Sequence, residues 1–239
     1  MITVKHLITS YDVLPNGSLK PSAMLKYMQD AATIDAANYG ADYISMREKD
    51  MIFVVSKAIV SFSRTPMVDE ELEIRTWNSG TQGVSFVRNY VITVNGETVG
   101  TGTTRWVLVS YSSRRILRPD ALFTDVTTNA EEQVGIEPTR RIKLSEDITP
   151  TKDTYIARLT DMDTNSHVNN TRYGDLLVDF CGIDFIDKKV SEFEIHFVSE
   201  LKAGESVEIS AAADGSGSCL TAVKAGGQQV FSARVVIGV

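Results

Sequence analysis

The chain has 239 residues, 43% hydrophobic and 23% charged, with a net charge of −7. That balance suits a soluble globular protein of one large or two smaller domains, and it excludes general affinity for nucleic acid or an anionic membrane. Two cysteines, Cys181 and Cys219, are too few for a disulfide framework and lack metal-ligand spacing, which fits a reducing compartment. The sequence opens without signal-peptide anatomy, and no apolar run reaches the roughly 18 residues of a membrane span. The expected location is the cytoplasm, without membrane insertion.

In chain order, Met24, Met28 and Ala31 recur at helical spacing. Alternating runs at 84–94 and 98–111 predict two long strands, joined at Asn95-Gly96, a strong hairpin signal. The stretch from Ser112 to Thr149 loses periodicity and predicts an ordered linker. In the second half Tyr173, Leu176, Leu177 and Phe180 fall on one helix face. Phe193, Ile195 and Phe197 then face one side of a strand, and Glu194 and His196 the other. Strands near 219–223 and 230–237, around Gly226-Gly227, close the chain.

The sequence also repeats itself. Phe62 to Ile74 matches Phe197 to Ile209 without a gap, 135 residues apart (197 − 62), with the closing apolar-Glu-Ile triplets in step. Each half reads as a strand, a helix and several antiparallel strands, an α+β arrangement. A sheet with one apolar face must be covered, and a long helix laid across it does that. The halves are placed at residues 1–128 and 151–239, with the linker proper at 129–150. Their sheets are suited to pairing edge to edge.

The densest polar stretch runs from Asp161 to Tyr173 and is read together with Glu200. Calcium does not suit it: the sixth position of the loop is Ser166 rather than Gly, and the twelfth is Arg172 rather than Glu. His6, His167 and His196 have no zinc spacing, and no Gly-x-Ser-x-Gly elbow is present. Neither a metal nor a cofactor is expected. Hydrolysis or proton transfer by Asp163, Asn165, His167 and Glu200 is left, with imidazole the group best poised to move protons near neutral pH. An extended loop would put Asp163, Asn165 and His167 in one row, ahead of a helix whose first N–H groups are free to receive a developing oxyanion. An Asx-rich capping loop is the bland alternative. Aligning the two helices sets Leu19 opposite His167, Gly17 opposite Asn165 and Thr65 opposite Glu200. The cluster thus belongs to one half only, which suggests that one half does chemistry and the other shapes a cavity.

These residues resemble the acyl-ACP thioesterase family. The stretch Asp161-Met-Asp163-x-Asn165-x-His167-Val168-Asn169-Asn170-x-x-Tyr173 is similar to its active-site motif. Met51 to Lys57, Thr76-Trp77, Arg88-Asn89, Thr104 to Val107 and Ser113 to Pro119 also sit where the family keeps similar residues. The resemblance implies a tandem (double) hotdog fold, two antiparallel sheets each wrapped around a long helix. It implies hydrolysis of a fatty acyl thioester on acyl carrier protein, ending fatty acid synthesis. By motif position its catalytic Asp, Asn, His and Glu fall on Asp163, Asn165, His167 and Glu200. Plant members carry a cysteine after that glutamate; here the residue is Leu201, so a thiolate nucleophile is not available from that position. The absence of a plant transit peptide points to a bacterial cytosolic member.

The expected scheme has Glu200 and His167 activating a water, Asn165 binding that water or the acyl carbonyl, and Asp163 fixing the loop. Backbone N–H groups near Val168 would stabilise the oxyanion. Direct attack by Glu200 stays open. Met24, Met28, Trp77 and Phe86 are candidates for the acyl wall, with ordinary core packing the competing reading. Two basic clusters, Arg114, Arg115 and Arg118, and Arg140, Arg141 and Lys143, are candidates for docking the acidic carrier. An acyl-CoA hydrolase and a non-catalytic acyl-binding module are the rival readings, and a monomer or a homodimer suits the tandem repeat.

Overall fold

The computed structural model describes residues 1–122 and 134–238. The first half comprises β1 (Ile2–Leu7), α1 (Pro21–Ala37), α2 (Tyr43–Glu48), β2 (Met51–Phe62), β3 (Glu71–Gln82), β4 (Ser85–Val94) and β5 (Glu97–Ser110). The second comprises β6 (Thr151–Ile156), α3 (Arg172–Phe180), β7 (Lys189–Phe197), β8 (Ser206–Ala213), β9 (Gly217–Lys224) and β10 (Gln229–Gly238). Local chemistry sets several of these boundaries. Pro21 opens α1, where its missing N–H costs nothing. The carboxylate of Asp42 caps α2 by accepting from the N–H groups of Ile44 and Ser45. Asn95 and Gly96 both take positive φ, +52° and +80°, the two-residue turn whose twist matches its strands.

The strands run in the order β1-β3-β4-β5-β2-β7-β10-β9-β8-β6, and each pairing is antiparallel. The two expected sheets are therefore one continuous sheet of ten strands. They join where β2 pairs with β7, from Lys57 opposite His196 to Ser61 opposite Glu192. The seam removes one exposed edge from each half. α1 packs on β1 and β3, while α3 packs on β10 and on α1. Between helices and sheet lies one shared core, from Met24, Met28, Ile74 and Tyr90 to Leu177, Phe193, Ile195 and Phe231.

The helix of the second half, α3, is shorter than expected, nine residues against seventeen in α1. Its first turn presses on the start of α1. A Cβ on Gly174 would stand 2.6 Å from the backbone nitrogen of Ser22, so only glycine permits this approach.

Glu194 and His196 do face away from the helices, yet both are buried. Their cover is the linker. Thr103 donates to the carbonyl of Ile136 at 2.7 Å, and Lys57 donates to the carbonyls of Thr139 and Arg140 at 2.6 and 3.0 Å. The N–H and hydroxyl of Thr139 donate to Glu194, which also pairs with His196 at 2.7 Å and Arg234 at 3.2 Å. The described part of the linker thus crosses β5, β2 and β7 on the face opposite the helices. The expected residues 129–133 of that linker lie outside the described residues.

Candidate active site

The polar motif forms a closed loop ahead of α3. Its root is Asp161, whose carboxylate accepts from the Tyr155 hydroxyl at 2.5 Å and the Arg158 N–H at 2.7 Å, and meets Arg172 at 3.0 Å. Burial pushes the Asp161 carboxyl up, but the bonds from Tyr155 and Arg158 and the charge of Arg172 outweigh it and hold it below its ordinary value. The Tyr155 phenol is pushed up to about 12 by burial and by Asp161. The carbonyl of Asp161 takes the Asn169 N–H at 2.8 Å, and Met162 bridges Val168 in antiparallel fashion.

Inside that closure Asp163 ties the turn. Its N–H donates to the His167 carbonyl at 2.8 Å. Its carboxylate accepts from the N–H groups of Asn165 at 2.8 Å and His167 at 3.3 Å. Ser166 takes φ of +64° to complete the turn. The extended row expected from the sequence is therefore replaced by a tight turn, because Asp163 binds backbone on both sides of it.

The expected oxyanion donors are also corrected. The Val168 N–H donates to the Leu201 carbonyl at 2.8 Å, and the first N–H groups of α3, from Arg172 to Gly174, donate to the carbonyls of Asn169 to Thr171. Those donors already have backbone acceptors, the Val168 N–H at Leu201 and the others within the loop.

The Val168–Leu201 bond has a second effect: it sets their predecessors, His167 and Glu200, side by side. Nε2 of His167 lies 2.9 Å from Oε2 of Glu200. The imidazole is largely covered, at 13% exposure, and the carboxylate is half exposed, at 50%. Leu201 itself is fully buried. Cys181 is buried too, and burial pushes its thiol up, which suits a structural role.

A cavity of about 670 Å³ reaches the loop from the first half; Asp163 and Asn165 line it, whereas His167 and Glu200 do not. The first half contributes Ala32, Ala36, Met46, Phe53, Phe86 and Trp106, with polar Asn78 and Arg88; the loop contributes Met162, Asp163 and Asn165. Arg88 is buried there in an ion pair with Asp35 at 2.8 Å. Of the four acyl-wall candidates, only Phe86 lines this cavity. Met24 and Met28 fill the core instead, and Trp77 is buried against the guanidinium of Arg75. Met46, Phe53 and Trp106 were missed because a cavity wall and a core face share one apolar pattern. The cavity meets the loop at Asp163 and Asn165, and Oδ1 of Asn165 is buried without a hydrogen-bond partner among the described residues. Its Nδ2 is directed at Asp163, 3.4 Å away.

Other candidates divide. Arg115, Arg118, Arg140, Arg141 and Lys143 are exposed. Arg114 is exposed as well, but its Nη1 lies 3.4 Å from Oε1 of Glu200, a contact that spacing along the chain gave no sign of. His196 belongs to the cluster beneath the linker, and His6 stacks on Tyr27, where burial lowers its pKa.

The structure also shifts the alignment of the two halves by one residue. The bridge between Val13 and Leu19 repeats the bridge between Met162 and Val168. The Leu19 N–H donates to Pro66 as the Val168 N–H donates to Leu201. Ser18, not Leu19, therefore stands opposite His167, and Asn16, not Gly17, opposite Asn165. Thr65 stands opposite Glu200, as expected.

Comparison with known proteins places this arrangement. The acyl-ACP thioesterase N-terminal domain family matches residues 2–127, and the acyl-ACP thioesterase C-terminal domain family matches residues 144–235. A dodecanoyl acyl-carrier-protein hydrolase of Cinnamomum camphora is 26% identical over 211 residues, 80% of this chain and 52% of that protein. Oleoyl-acyl carrier protein thioesterase 2 of Arabidopsis thaliana is 24% identical over 191 residues, 71% of this chain and 51% of that protein. The chain thus spans about half the length of the curated relatives it matches. An acyl-ACP thioesterase structure from Bacteroides thetaiotaomicron superposes with a TM-score of 0.88 at 21% identity, covering 99% of this chain and 97% of that one. The 12:0-ACP thioesterase from Umbellularia californica does so at 0.80 and 22%, covering 99% and 96%. These likenesses show the double hotdog fold. With both of its halves matched, the chain belongs to the acyl-ACP thioesterase family.

Proposed function

We propose that this chain hydrolyses the thioester between a fatty acyl group and acyl carrier protein, releasing the fatty acid and the carrier thiol. The observation that carries the reading is the 2.9 Å contact of His167 with Glu200, next to the loop that opens onto the cavity. Binding an acyl chain needs neither group, so the pair favours catalysis over a passive acyl-binding module.

Glu200 and His167 take a proton from a water as it attacks the thioester carbon. Asn165 presents Oδ1, since its Nδ2 is directed at Asp163. A water that donates one hydrogen to Oδ1 and the other to the dyad is both oriented and activated. Asp163 spends its carboxylate on the turn, which keeps Asn165 and His167 in place. The intermediate collapses by breaking the C–S bond, and the thiol, with a pKa of about 8.5, leaves without needing a strong acid. Half exposure of Glu200 suits a base that exchanges its proton with water.

The acyl chain occupies the cavity, and the carrier docks on exposed Arg115 and Arg118, with Arg140, Arg141 and Lys143 as a second basic surface. Such charges steer an acidic partner locally despite the net negative charge of the chain. Acyl-CoA is the rival substrate, sharing the chemistry and differing in the carrier. The test is product release from acyl-ACPs of graded chain length beside the matching acyl-CoAs. Turnover is expected on acyl-ACP, reduced about 10²- to 10⁴-fold by His167→Ala or Glu200→Ala. Near-wild-type rates in both variants would discard the scheme.

A further inference from the structure

Glu200 is held from two sides, and one hold comes from the half that lacks the catalytic loop. Oε2 lies 2.9 Å from Nε2 of His167, and Oε1 lies 3.4 Å from Nη1 of Arg114. Strand order explains the second contact. β5, β2 and β7 are neighbours; β5 ends at Ser110, opposite Met51 at the start of β2, and β7 runs toward that same end. Glu200 follows three residues after the end of β7. Two strand spacings, about 9.6 Å, separate β5 from β7, so a long side chain has to lean across β2.

The turn after β5 is built to aim that side chain. Asp50 accepts from the hydroxyl of Ser110 at 2.7 Å, and from the N–H and hydroxyl of Ser112 at 2.8 Å each. Ser110 donates its N–H to the Arg115 carbonyl at 2.9 Å and accepts the Arg114 N–H at 3.0 Å. Arg114 itself sits at φ of +58°, a conformation that favours glycine. Its guanidinium lies over the ring of Tyr111, 5.2 Å from the centroid. A residue kept for carrier docking alone has no need of a partner carboxylate in the catalytic centre.

We propose that Arg114 is a positioning residue for the reaction. It holds one oxygen of Glu200 so that the other stays on His167, where a half-exposed carboxylate would otherwise swing into water. Ion pairs at this exposure contribute little to stability, so the effect belongs in turnover. The inference rests on the hydrolase reading only for that turnover.

The test uses Arg114→Gly, which suits the backbone at this position, and Arg114→Lys, which retains the charge. Both are assayed on acyl-ACP and on the same acyl group carried by free pantetheine, and the crystal structure of Arg114→Gly is determined. The glycine variant is expected to lose about tenfold in kcat on both substrates with KM little changed. Arg114→Lys should recover part of that loss, and Glu200 should be found away from His167 in the glycine variant. A loss confined to KM for acyl-ACP, with kcat on acyl-pantetheine intact, overturns the proposal and returns Arg114 to docking. If the wild-type protein cleaves neither thioester, the hydrolase reading fails by itself. The crystal structure then decides the positioning: a displaced Glu200 supports it, and a Glu200 still on His167 overturns it.

Discussion

The loop before α3 has a twin before α1, and the two share a backbone while differing in what their side chains do. In both, residues six apart bridge, Val13 with Leu19 and Met162 with Val168. Matching bonds close both turns: Gly17 to Leu14 and Ser166 to Asp163, then Leu14 to Ser18 and Asp163 to His167. Gly17 and Ser166 hold positive φ at equivalent places, so the left-handed residue is a requirement of the turn and not a sign of catalysis. The contents then diverge. Asn16 is satisfied at both ends of its amide: Nδ2 donates to the Lys188 carbonyl at 2.8 Å, and Oδ1 accepts from the N–H and hydroxyl of Ser18. Asn165 leaves Oδ1 without a partner among the described residues, at the cavity. Thr65 donates to the Val190 carbonyl at 2.9 Å where Glu200 meets His167. One scaffold closes a seam in the first half and presents open valences in the second.

The sharpest break of this comparison is His167→Ser, which puts the side chain of the silent loop into the active one. The turn depends on backbone bonds and on Asp163, so the melting temperature should stay near that of the wild type. Turnover of acyl-ACP should fall about 10²- to 10⁴-fold. Retained turnover would mean that the imidazole is not the group that moves the proton.

A smaller and more discriminating effect comes from trimming the two asparagines separately. Asn165→Ala removes a buried acceptor that has no partner among the described residues, so stability should hold while kcat falls about tenfold to a hundredfold. Asn16→Ala removes three hydrogen bonds, costs about 1 kcal/mol in denaturant unfolding, and leaves kcat unchanged. Equal effects from both on the same quantity would erase the distinction between structural and open loops.

How much of this was legible in the sequence follows from how local each cause is. Asn95-Gly96 announces its hairpin because two adjacent residues must both take positive φ. The Phe62 and Phe197 repeats announce the tandem because strand patterning survives divergence. The motif from Asp161 to Tyr173 was readable as a site because so many polar side chains stand together. The match of Leu19 with His167 was off by one, since no side chain marks the register of these loops; the backbone bonds to Pro66 and Leu201 do. Burial of Glu194 and His196 on the outer face was not legible, because the cover is an aperiodic linker from far along the chain. Arg114 read as one member of a basic run because its partner, Glu200, adjoins it only through the order of β5, β2 and β7.

The smallest expected effect is one the two loops share. Asp12 and Asp161 occupy equivalent roots, each accepting from the N–H three residues earlier, of Thr9 and of Arg158. In both, burial raises the carboxyl, and hydrogen bonds outweigh it and leave it below the ordinary value of 3.8. A carboxyl depressed in the folded state contributes stability that is fully present above its unfolded pKa and is lost as pH falls through the folded one. Melting temperature should therefore hold at neutral pH and drop as the solution is acidified below about 4. Asp12→Asn and Asp161→Asn should each flatten part of that fall. Arg172 meets Asp161 directly at 3.0 Å, whereas Lys26 acts on Asp12 through its charge, so the Asp161 variant should flatten more. If the two variants flatten the acid limb equally, Arg172 adds nothing at the root of the active loop, and the loops differ only in the side chains at their tips.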